Sequence, residues 1–72
     1  MVQYIKISYK NKIKEEYETF KEALHSAAID YKEGQAYPLE IKRGDRILQG
    51  EKLIDKIIDY SNKIYKEESD YE

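Results

Sequence analysis

Histidine and cysteine, the side chains that most often serve as general bases and nucleophiles near neutral pH, are scarce in this sequence of 72 residues. His25 is the single histidine, there is no cysteine, and no serine lies in a nucleophile motif such as G-x-S-x-G. A general base needs a polar partner and a pocket, and the residues around His25 indicate neither. We therefore interpret His25 as a solvated surface residue. We predict no catalytic residue and expect that the protein is not an enzyme.

Metal and cofactor sites have equally little support. Zinc sites favour cysteine and histidine, and calcium loops need closely spaced oxygens and a glycine. Glu51, Asp55 and Asp59 alternate with lysines at helical spacing, which predicts a solvated helix face with i,i+4 ion pairs. The three glycines do not form a G-x-x-x-x-G-K phosphate loop. We expect no metal and no cofactor.

Arg43-Gly44-Asp45 spells a cell-adhesion tripeptide, but its context predicts a turn. The N-terminus alternates apolar and polar residues and has no apolar signal-peptide region, and without cysteines there is no disulfide framework. In the stretch PLEIKRGDRILQG, two short strand patterns flank the tripeptide, and glycine or aspartate can adopt positive φ at little cost. We interpret Arg43 and Arg46 as solvated charges that flank a hairpin turn.

A strand hairpin is predicted at the N-terminus. VQYIKISYK alternates strictly, with Ile5, Ile7 and Tyr9 on one side and Tyr4 and Lys6 on the other. A three-residue loop at 10–12 pairs Ile5 with Tyr17 and gathers the apolar residues on one face, and Asn11 in that loop tolerates positive φ. The sequence thus predicts strands before and after Asn11.

Two helices are predicted, one after each hairpin. TFKE fits a capping box with Thr19 as N-cap, and Gly34 is a plausible residue for ending the first helix. Gly50 and Glu51 lead into the second helix, which carries a broad apolar stripe. The acidic stretch 67–72 lacks periodicity and is predicted to be a disordered tail.

The two halves form a weak pseudo-repeat, 2–33 and 37–65, each reading strand, strand, helix. We predict a single α+β domain over 1–66 with ββαββα order, a four-stranded and mainly antiparallel sheet, and both helices packed on one face. The predicted core consists of Ile5, Ile7, Ile13, Phe20, Leu24, Leu39, Ile41, Ile47, Leu53, Ile57 and Ile64.

This architecture leaves the other sheet face open. If Ile41 pairs with Ile47, then Val2, Tyr4 and Leu48 point outward and indicate a protein partner or a homo-oligomer. Our leading hypothesis is a small accessory protein that acts through protein–protein interaction or self-association. The alternative is a nucleic-acid-binding module that uses the basic hairpin tips and the open face, where cations track phosphates and rings stack on bases. Its contact residues would be Lys6, Lys10, Lys12, Lys14, Lys42, Arg43 and Arg46.

Composition sets the remaining expectations. The net charge is −2 with 39% charged residues, which singles out neither a general nucleic-acid binder nor an acidic mimic. No apolar run approaches the roughly 20 residues of a membrane span, so we expect no membrane association and a soluble, cytoplasmic protein. Abundant lysine, isoleucine and tyrosine are common in proteins of AT-rich genomes, and such small proteins occur among factors encoded by phages and other mobile elements.

Overall fold

Two ββα units follow one another along the chain. A computed structural model describes residues 1–69, with side chains described through residue 64. The elements are β1 (Val2–Ser8), β2 (Asn11–Tyr17), α1 (Phe20–Glu33), β3 (Tyr37–Arg43), β4 (Arg46–Gln49) and α2 (Gly50–Ser69). All strands are antiparallel in one open sheet of order β2-β1-β3-β4, and both helices contact it. The predicted fold class is confirmed.

Local signals set the ends of α1 as predicted. Thr19 is the N-cap, and its hydroxyl oxygen accepts a hydrogen bond from the Glu22 backbone N–H at 3.2 Å. Gly34 ends the helix in the left-handed conformation with φ 69°. Helix α2 continues through Ser69, into the segment predicted to be a tail, and residues 70–72 of that segment lie outside the described residues.

The predicted register of the first hairpin is wrong by three residues, since Ile5 pairs with Lys14 and not with Tyr17. Ser8 pairs with Asn11, so the turn contains only Tyr9 and Lys10, with φ 50° and 75°. Two consecutive left-handed residues make the two-residue turn whose twist matches a hairpin. Asn11, which we expected in the loop, is instead the first residue of β2.

The second hairpin is shifted by one residue. Its turn is Gly44-Asp45, where Gly44 has φ 59°. Ile41 therefore pairs with Leu48 and not with Ile47. Because side chains alternate along a strand, a shift of one residue moves a whole set of side chains to the other face of the sheet.

The core lies between the helices and the sheet face that they cover. It consists of Val2, Tyr4, Ala23, Leu24, Ala27, Ala28, Ile41, Leu53 and Ile57, with Phe20 packed against it. The prediction is confirmed for Leu24, Ile41, Leu53 and Ile57, and Ile64 is half-buried. It is wrong for Ile5, Ile7, Ile13, Leu39 and Ile47, none of which is buried. The strands present their other apolar set to the helices.

Candidate interaction surfaces

One face of the sheet has no helix on it. We call it the open sheet face, and the strand registers place on it Gln3, Ile5, Ile7, Lys12, Lys14, Glu16, Glu40, Lys42, Ile47 and Gln49. A register shift between β1 and β3 adds Leu39, which borders the same shallow depression as Ile5. Apolar side chains thus lie along the centre and one edge of this face, among lysines, glutamates and glutamines.

The residues predicted to bind a partner do not lie on this face. Val2 is 2% exposed and Tyr4 is fully buried, and Leu48 is half-buried against the core. Their predicted outward orientation is wrong because β1 turns its Val2 and Tyr4 face to the helices, and because the one-residue shift of the second hairpin places Leu48 opposite Ile41. The apolar residues that do point away from the helices are Ile5, Ile7, Leu39 and Ile47, all of which we expected inside.

The seven basic residues of the nucleic-acid alternative are distributed over different surfaces. Lys12, Lys14 and Lys42 lie on the open sheet face, together with Glu16 and Glu40. Lys10 lies in the first turn, at the opposite end of the sheet from the second turn. Arg43 and Arg46 pair across β3 and β4 on the helix-covered side, where the Arg43 guanidinium lies 5.8 Å from the centre of the Phe20 ring.

Lys6, the seventh, belongs to a polar cluster between the sheet and α1. Its Nζ lies 3.0 Å from an Asp30 oxygen and 3.1 Å from a Glu15 oxygen, and its side chain is only 12% exposed. The Tyr4 hydroxyl donates to the same Asp30 oxygen at 2.9 Å. The Tyr17 hydroxyl lies 2.8 Å from Glu15 and 2.8 Å from Ser26. Lys6 is therefore committed to internal ion pairs.

This cluster perturbs the titration of its members. Burial, reinforced by the hydrogen bond to Asp30, raises the pKa of Tyr4 far above its usual value. Burial acts to lower the pKa of Lys6, but the hydrogen bonds to Asp30 and Glu15 outweigh it, so the pKa is raised. Both shifts hold the groups in their protonated forms, in which they donate hydrogen bonds. We interpret the cluster as structural, since its groups bond to one another.

His25 is exposed, and its Nδ1 lies 2.8 Å from the Tyr60 hydroxyl, with the two rings edge to face. The contact joins α1 to α2. In the described part of the chain, no group of three or more histidine or carboxylate side chains could hold a metal ion. Nor does any helix of that part have the length and apolarity needed to cross a membrane.

Fold and surface together define a small α+β domain of two ββα units, with one sheet face covered by helices and the other uncovered. Comparisons with protein-family models, curated proteins and solved structures found no match. The function is therefore inferred from the exposed surfaces of the domain.

Proposed function

We propose that the protein is a non-enzymatic accessory protein that self-associates through its open sheet face. The observation that carries this proposal is the position of Ile5 and Ile7 in the middle of an uncovered sheet, next to Leu39 and with Ile47 51% exposed at the edge. Contiguous apolar side chains on a surface favour association, because covering them removes apolar area from water.

The charges of the open sheet face support a second copy of the chain as the partner. Lys14 and Glu40 both pair with Ile5, so they lie in one row on opposite sides of β1. Glu16 and Lys42 likewise flank Gln3 in the next row.

A half-turn about an axis parallel to the strands stacks two such faces. It places β1 of one copy over β3 of the other and β2 over β4. Lys14 of one copy then lies diagonally across from Glu40 of the other, one strand to the side, and Glu16 lies diagonally across from Lys42. The contact is isologous, so every pair forms twice. Opposite charges around an apolar centre are the pattern of complementary interfaces.

The size of the face sets the expected strength. Four strands about 4.8 Å apart and three rows of side chains about 7 Å apart give a face of roughly 400 Å². Standard interfaces bury about 800 Å² of accessible surface per partner. Protruding side chains make the accessible area of this face larger than its flat area, but the contact is still smaller than a standard interface. We therefore expect a weak dimer whose population depends on protein concentration.

Sedimentation over a range from about 10 µM to about 1 mM tests the proposal, since weak complexes dissociate in that range. We expect the mean mass to rise towards that of a dimer. Ile5→Lys should keep the protein monomeric, because each dimer would lose two central apolar side chains and bury two lysines, and the facing Glu40 does not offset the cost of removing both charges from water. The matched control is Ile58→Lys, at a 44% exposed position of α2, which should dimerise like the wild type.

Two results would refute self-association through this face. One is a monomer at every concentration. The other is a dimer that Ile5→Lys and Ile58→Lys weaken equally, since the contact would then lie elsewhere. Circular dichroism of both variants confirms that a loss of dimer is not a loss of fold.

A further inference from the structure

A second concave surface lies on the helix-covered side of the sheet, away from the open sheet face. We call it the hairpin pocket. It is lined by Phe20, Ile41, Arg43, Arg46, Ile47, Leu48 and Lys56, and its volume is about 490 Å³. Three elements enclose it: the β3–β4 hairpin, the first residue of α1, and α2. Its floor is apolar and three cations surround that floor.

The positive charge of the hairpin pocket is not balanced. Arg43 and Arg46 are directly opposite each other on β3 and β4, an arrangement of like charges that destabilises a sheet. Lys56 adds a third charge from α2. Among the described residues, no carboxylate forms a salt bridge with any of the three, although Arg43 also lies over the Phe20 ring. A bound anion would relieve this repulsion.

Arginine indicates which anion fits. Its planar guanidinium binds phosphate oxygens through two parallel hydrogen bonds, and lysine supplies a further point charge. The apolar floor formed by Phe20, Ile41 and Leu48 favours a phosphate attached to an apolar or aromatic group. The volume is in the range of small-molecule sites, about 300 to 1,000 Å³. We propose that the hairpin pocket binds a phosphate ester of nucleotide size.

A nucleic-acid strand fits the hairpin pocket less well. A polymer needs cations arranged along a track, whereas Arg43, Arg46 and Lys56 converge on one depression. Lys42 and Lys14, which lie on β3 and β2, are on the opposite face of the sheet and do not extend a track from it. The pocket therefore matches one phosphate group and its carrier.

Titration of the ¹⁵N-labelled protein with adenosine monophosphate, followed by amide chemical shifts, tests the proposal. We expect saturable shifts at the lining residues. Adenosine, which lacks the phosphate, and inorganic phosphate, which lacks the carrier, should each bind at least about tenfold more weakly, the worth of one charged hydrogen bond. Equal binding of adenosine would overturn the role of the cations, and equal binding of inorganic phosphate would overturn the role of the apolar floor.

Charge-neutral variants locate the site. Arg46→Gln and Lys56→Gln should each weaken binding of adenosine monophosphate about tenfold. Lys42→Gln and Lys52→Gln remove the same charge outside the pocket and should leave it unchanged. Arg46→Gln should also melt no lower than the wild type, because it removes the like-charge pair.

If all four variants weakened the binding of adenosine monophosphate equally, the binding would reflect general charge attraction, and the proposal of a site in the hairpin pocket would be wrong. The inference is independent of dimer formation, because the arginines of the pocket lie on the helix-covered side of the sheet and Lys56 on α2, and only Ile47, at the edge, also borders the open sheet face. Ile5→Lys should therefore leave nucleotide binding unchanged.

Discussion

Removing the Asp30 carboxylate should destabilise the protein far more than removing an exposed carboxylate. Asp30→Ala takes away the acceptor of the buried Tyr4 hydroxyl, and an unsatisfied buried donor costs about 1 to 3 kcal/mol. It also takes one of two carboxylates from Lys6, which keeps Glu15. We expect a total loss of about 3 kcal/mol, against a stability of roughly 4 to 11 kcal/mol for a domain of this length.

The chain supplies a matched control in Asp59→Ala. Asp59 and Lys63 form an i,i+4 pair at 3.8 Å, with both side chains mostly exposed. Exposed pairs of this kind contribute about 0.3 to 0.5 kcal/mol. Urea unfolding of both variants, followed by circular dichroism, measures the difference directly. Equal losses for Asp30→Ala and Asp59→Ala would refute the conclusion that the Asp30 cluster is a partly buried, cooperative unit.

A double substitution separates the hydroxyl from the charge. In Asp30→Ala, the Tyr4 hydroxyl is left without an acceptor. If this accounts for part of the lost stability, then Tyr4→Phe in the same background should raise the free energy of unfolding by about 1 kcal/mol, because no unsatisfied hydroxyl remains. If Tyr4→Phe instead lowers stability further in that background, the hydroxyl finds another partner, and the assigned cost is wrong. Tyr4→Phe in the wild-type background completes the double-mutant cycle.

Two further predictions concern the first turn and alkaline pH. Replacing Tyr9-Lys10 by Asn-Gly should stabilise the protein by about 1 kcal/mol, because both residues have positive φ and Tyr9 is 93% exposed. Gly44→Ala in the second turn should lower the free energy of unfolding by a similar amount. Urea unfolding of both variants tests whether the first change stabilises the protein and the second destabilises it. Stability should also fall above about pH 10, where the unfolded chain releases protons that folded Tyr4 and Lys6 retain because their pKa values are raised. Each group contributes a slope of at most about 1.4 kcal/mol per pH unit, so Tyr4→Phe should flatten the decline measured between about pH 9 and 11.5. An unchanged slope in that variant would contradict the shift of Tyr4.

Element order and the ends of α1 could be predicted because their signals are local. The hydroxyl of Thr19 can satisfy an N–H within its own first turn, and Gly34 adopts the left-handed conformation without a Cβ penalty. Neither feature depends on what packs against the helix. The buried face of α2, which contains Leu53 and Ile57, could also be predicted, because apolar residues spaced at 3.6 residues per turn lie on one side of a helix.

The sheet faces could not be predicted because β1 has two apolar faces. Ile5 and Ile7 on one side compete with Val2 and Tyr4 on the other, and a period of two residues does not choose between them. Asn11 suggested a three-residue loop, whereas the left-handed residues are Tyr9 and Lys10, which carry no strong turn signal. The candidate surfaces changed with the register, and the proposal of association through an open sheet face now rests on different residues.

The sequence by itself determined the ββαββα order, the N-cap at Thr19 and the left-handed residue Gly34, because each depends on residues close together in the chain. Only the tertiary structure decided which face of β1 is buried. The choice depends on Asp30, which lies 26 residues from Tyr4 and accepts its hydroxyl hydrogen bond while also pairing with Lys6. A buried tyrosine hydroxyl and a largely covered lysine are stable only where they have such partners, and only folding brings these partners together.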